Sequence, residues 1–176
     1  MRRLERTGLV AATMATAAGV LLIGACTQQV SGTAEVDETD LAAYASEVTS
    51  SRAAAVTRAT DAACDAFLTA NGSSARAFND YIDASNTKGR NDPDTNGKAD
   101  HAVATLRDNA RSVGQKVTRE VPSAVADPLR AYRDDTTALA DTLGRRADTD
   151  TLNAAIDRFN ATKNAALTAC QGHGTR

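Results

Sequence analysis

A chain of 176 residues in which 42% are hydrophobic, with no Trp, three Tyr and three Phe, is long enough for one buried core, and that core has to be built mainly from Ala, Leu and Val. The 20 basic and 22 acidic residues are interspersed and the formal net charge is −2, which argues against nucleic acid as a partner because phosphate binding needs clustered cations. Ala, the strongest helix former, is abundant and aromatic residues are sparse, so the composition leans to an all-α fold.

The chain opens with Arg2, Arg3 and Arg6 and continues through Thr7–Ala25 without a charge, the basic and apolar regions of a secretory signal. Leu21-Leu22-Ile23-Gly24-Ala25-Cys26 then resembles the lipobox of bacterial lipoproteins. Val30-Ser31-Gly32-Thr33-Ala34 resembles the segment that follows the lipidated cysteine in mycobacterial-type lipoproteins. The Arg-rich, Ala-rich usage resembles actinobacterial coding. The resemblance covers residues 1 to about 36 and implies cleavage before Cys26, a diacylglycerol on its sulfur, and residues 27 onward held outside the cytoplasmic membrane. An uncleaved membrane anchor and a cytosolic helix are the alternatives for this segment. Arg2, Arg3 and Arg6 against Glu5 contribute +2, so cleavage would leave −4 in place of −2. The expected division is a signal peptide over 1–25, lipidated Cys26 and a flexible tether over 26–39, a helical bundle over 40–171 and a tail over 172–176.

The bundle region reads as four to five antiparallel helices. Asp37, Glu38 and Asp40 suit the positive end of a helix dipole. Leu41, Tyr44, Val48, Ala55, Ala59, Ala63 and Phe67 then recur at helical intervals on one stripe. Asn71-Gly72 reads as the end of that helix, and Ser73 or Ser74 as the cap of a short second one holding Ala77, Phe78, Tyr81 and Ile82. Asn86–Gly97 (NTKGRNDPDTNG) is rich in turn formers and reads as a loop. Val103, Leu106, Ala110, Val113, Val117 and Val121 form the cleanest seam, ended by Pro122. Asp127-Pro128 reads as N-cap and first residue of a helix carrying Leu129, Tyr132, Thr136, Leu139 and Leu143, with Gly144 as its stop. A last helix starts near Asp148–Asp150 and carries Leu152, Ile156, Phe159, Ala166 and Cys170.

With Cys26 spent on lipid, Cys64 and Cys170 remain, and an even remainder in an exported domain points to one disulfide. In a bundle of five helices the first and fifth run parallel, which places both cysteines at the same end. Two buried free thiols are the alternative.

Candidate chemistry is sparse. Asp92, Asp94, Asn96, Gly97 and Asp100 resemble the first nine positions of an EF-hand calcium loop, but Val103 stands where the bidentate acid belongs. His101 and His173 have no metal-site spacing. Asp134, Asp135 and Asp141 lie among Arg130, Arg133, Arg145 and Arg146 and read as a solvated charge network. No nucleophile elbow or phosphate loop is present, so no catalytic residue, metal or cofactor is assigned. The expectation is a non-enzymatic, membrane-anchored envelope lipoprotein whose helical ectodomain binds an envelope protein or serves a structural role. Alternatives are a lipid or haem carrier, with Tyr44, Tyr81, Tyr132 and His101 as candidate axial ligands, and a calcium module at 92–100.

Overall fold

The computed structural model describes residues 37–174; the signal segment, Cys26 and most of the tether lie outside the described residues. The chain divides into two units, Met1–Leu41 and Ala42–Arg176. In the first, Asp37 opens helix α1 (Glu38–Lys88), its carboxylate accepting the Thr39 N–H at 2.8 Å and its carbonyl accepting from Leu41.

In the second, α1 runs on to Lys88 and is followed by α2 (Pro93–Lys116), α3 (Ser123–Gly144) and α4 (Thr149–Ala169), with no strand among the described residues. The connections 89–92, 117–122 and 145–148 are short, which forces successive helices antiparallel. α2 packs along α3, and α3 along α4. α1 closes against α2 where the Asn109 amide donates to Ala70 O at 3.1 Å, Ser73 Oγ at 2.8 Å and Ser74 Oγ at 2.9 Å.

Three boundaries differ from the sequence reading. Asn71-Gly72 does not end a helix: α1 passes through it, so the bundle has four helices. A helical glycine costs about 1 kcal/mol relative to alanine, less than the burial of Ala70, Ser74, Ala77 and Tyr81 on either side of it gains. Residues 86–97 are not a loop either, because α1 runs to Lys88, Gly89 turns the chain at φ 89°, and α2 begins at Pro93. The Asp-Pro start expected at 127–128 is found instead at Asp92-Pro93, where the Asp92 carboxylate accepts the Asp94 N–H at 2.9 Å and Pro93 takes the first turn. At the third boundary, α3 begins five residues before Pro128 and contains it, since Val125 and Ala126 are buried and draw the extra turn onto the core.

The stripes of α2, α3 and α4 are the core. Val103, Leu106, Ala110 and Val113 of α2 are buried, as are Leu129, Tyr132, Thr136, Leu139 and Leu143 of α3 and Leu152, Phe159 and Ala166 of α4. Few aromatics suffice because they meet: the Phe67 ring stands edge-on to Tyr132 at 4.8 Å between centroids, and Tyr132 lies 5.6 Å from Phe159. On α1 the stripe is buried only from Thr60 onward; Ala42–Arg58 is helix with mostly exposed side chains.

α3 ends in a Schellman turn, but the left-handed residue is Arg146 at φ 55°, two positions after Gly144. Arg146 N–H donates to Leu143 O at 2.9 Å and Ala147 N–H to Thr142 O at 3.3 Å. An arginine tolerates that strain because its guanidinium bonds Asp100 Oδ1 at 2.8 Å and both oxygens of Asn96, tying the end of α3 to the start of α2.

Candidate functional site

Cys64 and Cys170 form a disulfide with Cα atoms 5.6 Å apart, closing a span of 106 residues. The pairing agrees with the cysteine count, but its geometry does not follow from five helices. With four, α1 and α4 run antiparallel, and it is the length of α1 that brings the pair together. Cys64 lies 24 positions before Lys88, the length of α2, so it is level with the end of the bundle where α4 finishes at Cys170. The tail beyond folds back on α1, His173 Nδ1 lying 3.4 Å from Asp61 Oδ1.

At the other end of the bundle Arg90, just past α1, donates to Thr149 Oγ1 at 3.2 Å and to the Ala147 carbonyl at the start of α4. α1 and α4 are therefore tied at both ends and part between the ties, leaving a groove of about 440 Å³. Its apolar surface comes from Phe78, Leu106, Leu139, Ile156, Phe159 and Leu167. Its polar groups are Asn71, Ser74, Asn79, Asn160, Lys163 and Asn164. Lys163 Nζ donates to Asn160 Oδ1 at 2.9 Å and sits 5.9 Å from the centre of the Phe159 ring. Asn71 Oδ1 is buried without a hydrogen-bond partner. Beneath Ser74 the Tyr132 hydroxyl is buried beside Ser74 and Thr136 without hydrogen-bond geometry to either, and burial pushes its pKa up.

The residues singled out in the sequence do not meet in this groove. Tyr44 is 68% exposed on α1, His101 is exposed on α2, and Tyr81 and Tyr132 are core residues. The groove thus has no axial ligand for haem among its lining side chains. Residues 93–100 are the first two turns of α2, with Asp92 engaged in capping, Asp94 paired with Lys88 at 3.1 Å and Asp100 paired with Arg146 at 2.8 Å. A calcium loop there would require those turns to unwind. Among the described residues no three His, Cys, Asp or Glu side chains cluster as metal ligands. Asp134 pairs with its chain neighbour Arg133 on α3 and Asp141 with Arg107 of α2, rather than the two forming one acidic pair.

The groove residues did leave a trace in the sequence. Asn71, Ser74, Ala75, Phe78 and Asn79 lie on one helical face of α1, and Ile156, Phe159, Asn160, Lys163, Asn164 and Leu167 lie on one face of α4. Each face carries uncharged amides, Asn71 and Asn79 on α1 and Asn160 and Asn164 on α4. Asn71-Gly72 also carries a helix-stop signal, and that signal masks the first of them.

The fold and the groove define a disulfide-closed antiparallel four-helix bundle with a ligand-sized cleft between α1 and α4. The chain belongs to the Rv2240c four-helix bundle domain family, whose model matches residues 46–171. That span begins on α1 and ends just past Cys170, so it takes in all four helices and the disulfide. No curated protein and no solved structure matches the chain significantly.

Proposed function

We propose that this protein is a lipid-anchored cell-envelope lipoprotein whose four-helix bundle is a non-enzymatic binding domain outside the cytoplasmic membrane. The observation that supports this most is the disulfide between Cys64 and Cys170, since structural disulfides persist in oxidising compartments, the side of the membrane to which a signal peptide and Cys26 would deliver the bundle. Lipoproteins carry two or three acyl chains, and at ~0.8 kcal/mol per buried CH₂ this makes anchoring effectively stable. The exposed stretch Ala42–Arg58 would then be a helical spacer of ~25 Å at 1.5 Å per residue.

The groove between α1 and α4 favours binding over a purely structural role, because an open, partly apolar cleft gives up packing that a structural bundle would keep. The carrier reading draws on the same cleft, for a lipid-like ligand rather than haem.

The test is metabolic labelling with palmitate and fractionation of cells expressing the full chain. The wild type should take up label and remain with membranes. Cys26→Ala should lose both, and an unlabelled wild type would overturn the anchor.

A further inference from the structure

Two polar groups in the α1–α4 groove are left unmatched by the fold. Asn71 Oδ1 is a buried acceptor with no partner, a state that any N–H or O–H reaching it would relieve. Lys163 is half-buried, contacts Asn160 and the Phe159 ring, and pairs with no carboxylate among the described residues. Arg107, Arg111, Arg130, Arg133 and Arg146 each hold an Asp within 2.8 Å, so the shallow depression at Arg107, Arg111 and Arg133 is already neutralised. The groove's cation is free to meet an anion, and the apolar floor of Leu106, Leu139 and Phe159 lies beside it. A volume of about 440 Å³ falls within the range of small-molecule sites.

We propose that this groove binds an amphiphilic acid: an apolar chain on the floor, an anionic head at Lys163, and an N–H or O–H donor directed at Asn71. Each alternative leaves one of these features unused. A plain fatty acid offers Asn71 no donor, a neutral sugar offers Lys163 no charge, and a haem finds no axial ligand. The inference rests on the binding half of the proposed function and is independent of the anchor.

The probe is N-dodecanoylglycine, titrated calorimetrically into the full-length chain in nanodiscs, with empty nanodiscs subtracted. At about 18 non-hydrogen atoms its Kd should be on the order of 0.1 mM. Lys163→Gln should weaken it about tenfold while leaving binding of its neutral methyl ester unchanged. Asn71→Ala should weaken it about fivefold while leaving plain dodecanoate unchanged. Ala75→Trp, an exposed groove-rim substitution on α1, should abolish binding with the circular dichroism spectrum intact. No heat above the Ala75→Trp background, or a Kd that ignores Lys163→Gln, overturns the proposal. Palmitate labelling that persists when the ligand fails shows that the inference alone has fallen; loss of labelling with ligand binding intact shows the reverse.

Discussion

Cutting the link between Cys64 and Cys170 should remove a large part of the bundle's stability. The bond closes 106 residues of chain, and the loss of denatured-chain entropy for a loop of that length corresponds to ~4.8 kcal/mol at 25 °C. Typical domains hold only about 5–15 kcal/mol in all. Unfolding entropy near ~0.27 kcal/mol/K for a bundle of roughly 130 residues converts this to a fall in Tm of about 15–18 °C. The reasoning has a structural side as well. The disulfide joins α1 to α4 at the end of the bundle opposite the Arg90 contacts, so without it that end keeps only non-covalent ties: the Phe67–Tyr132 contact, the Asn109 hydrogen bonds and the His173–Asp61 approach. Thermal unfolding followed at 222 nm should be compared for the oxidised chain, the chain reduced by a phosphine, and Cys64→Ala/Cys170→Ala. The reduced chain isolates the crosslink from the small cavity that alanine leaves at Cys64, which is fully buried. A fall of less than ~5 °C in both would refute the claim that chain closure, rather than the helix stripes, carries this share of stability.

Other substitutions probe single features. Gly72→Ala should stabilise by about 0.5–1 kcal/mol in urea denaturation, because the added Cβ would meet only Arg76 Nη1 at an ordinary 3.6 Å; a loss of stability would mean that Gly72 needs left-handed geometry. Tyr132→Phe removes a buried hydroxyl without a hydrogen bond and should raise stability by about 1 kcal/mol. The raised Tyr132 pKa means the folded state holds its proton more tightly, so that contribution is complete below the ordinary tyrosine pKa near ~10 and is lost as pH rises beyond it; the alkaline fall in stability should be shallower in Tyr132→Phe. Glu120, between α2 and α3, has its carboxyl pulled down to about 2 by the Thr118 hydroxyl and then by Arg119. A depressed folded pKa gives stability that is present above the ordinary glutamate value and drains as pH falls towards 2, so Glu120→Gln should lower stability at neutral pH and flatten the acid limb, the two profiles converging at low pH. Arg146→Gly exchanges a strained left-handed arginine for relaxed backbone but gives up the bonds to Asp100 and Asn96. It should destabilise on balance, and a more stable variant in the same melt would show that strain, not the tie between α2 and α3, dominates there.

Much of the fold was legible because helix stripes are local. The seam from Val103 to Val113, the stripe from Leu129 to Leu143 and the run from Leu152 to Cys170 are set by residues three and four apart, and burial along one face follows directly from that spacing. The disulfide partners followed from counting, since two cysteines remained once Cys26 was set aside. What only the tertiary structure decided was everything resting on a contest between a weak local signal and packing at a distance. Gly72 is a local stop worth about 1 kcal/mol, and the buried residues on both sides of it outweigh it. Pro128 would open a helix on its own, yet Val125 and Ala126 find the core and start α3 earlier. The level at which Cys64 meets Cys170 depends on the unbroken length of α1. The groove is the clearest case, because a cleft is the space two helices fail to fill. No single stripe encodes that space; it exists only where the Asn71 face of α1 and the Lys163 face of α4 are tied at both ends and held apart in the middle.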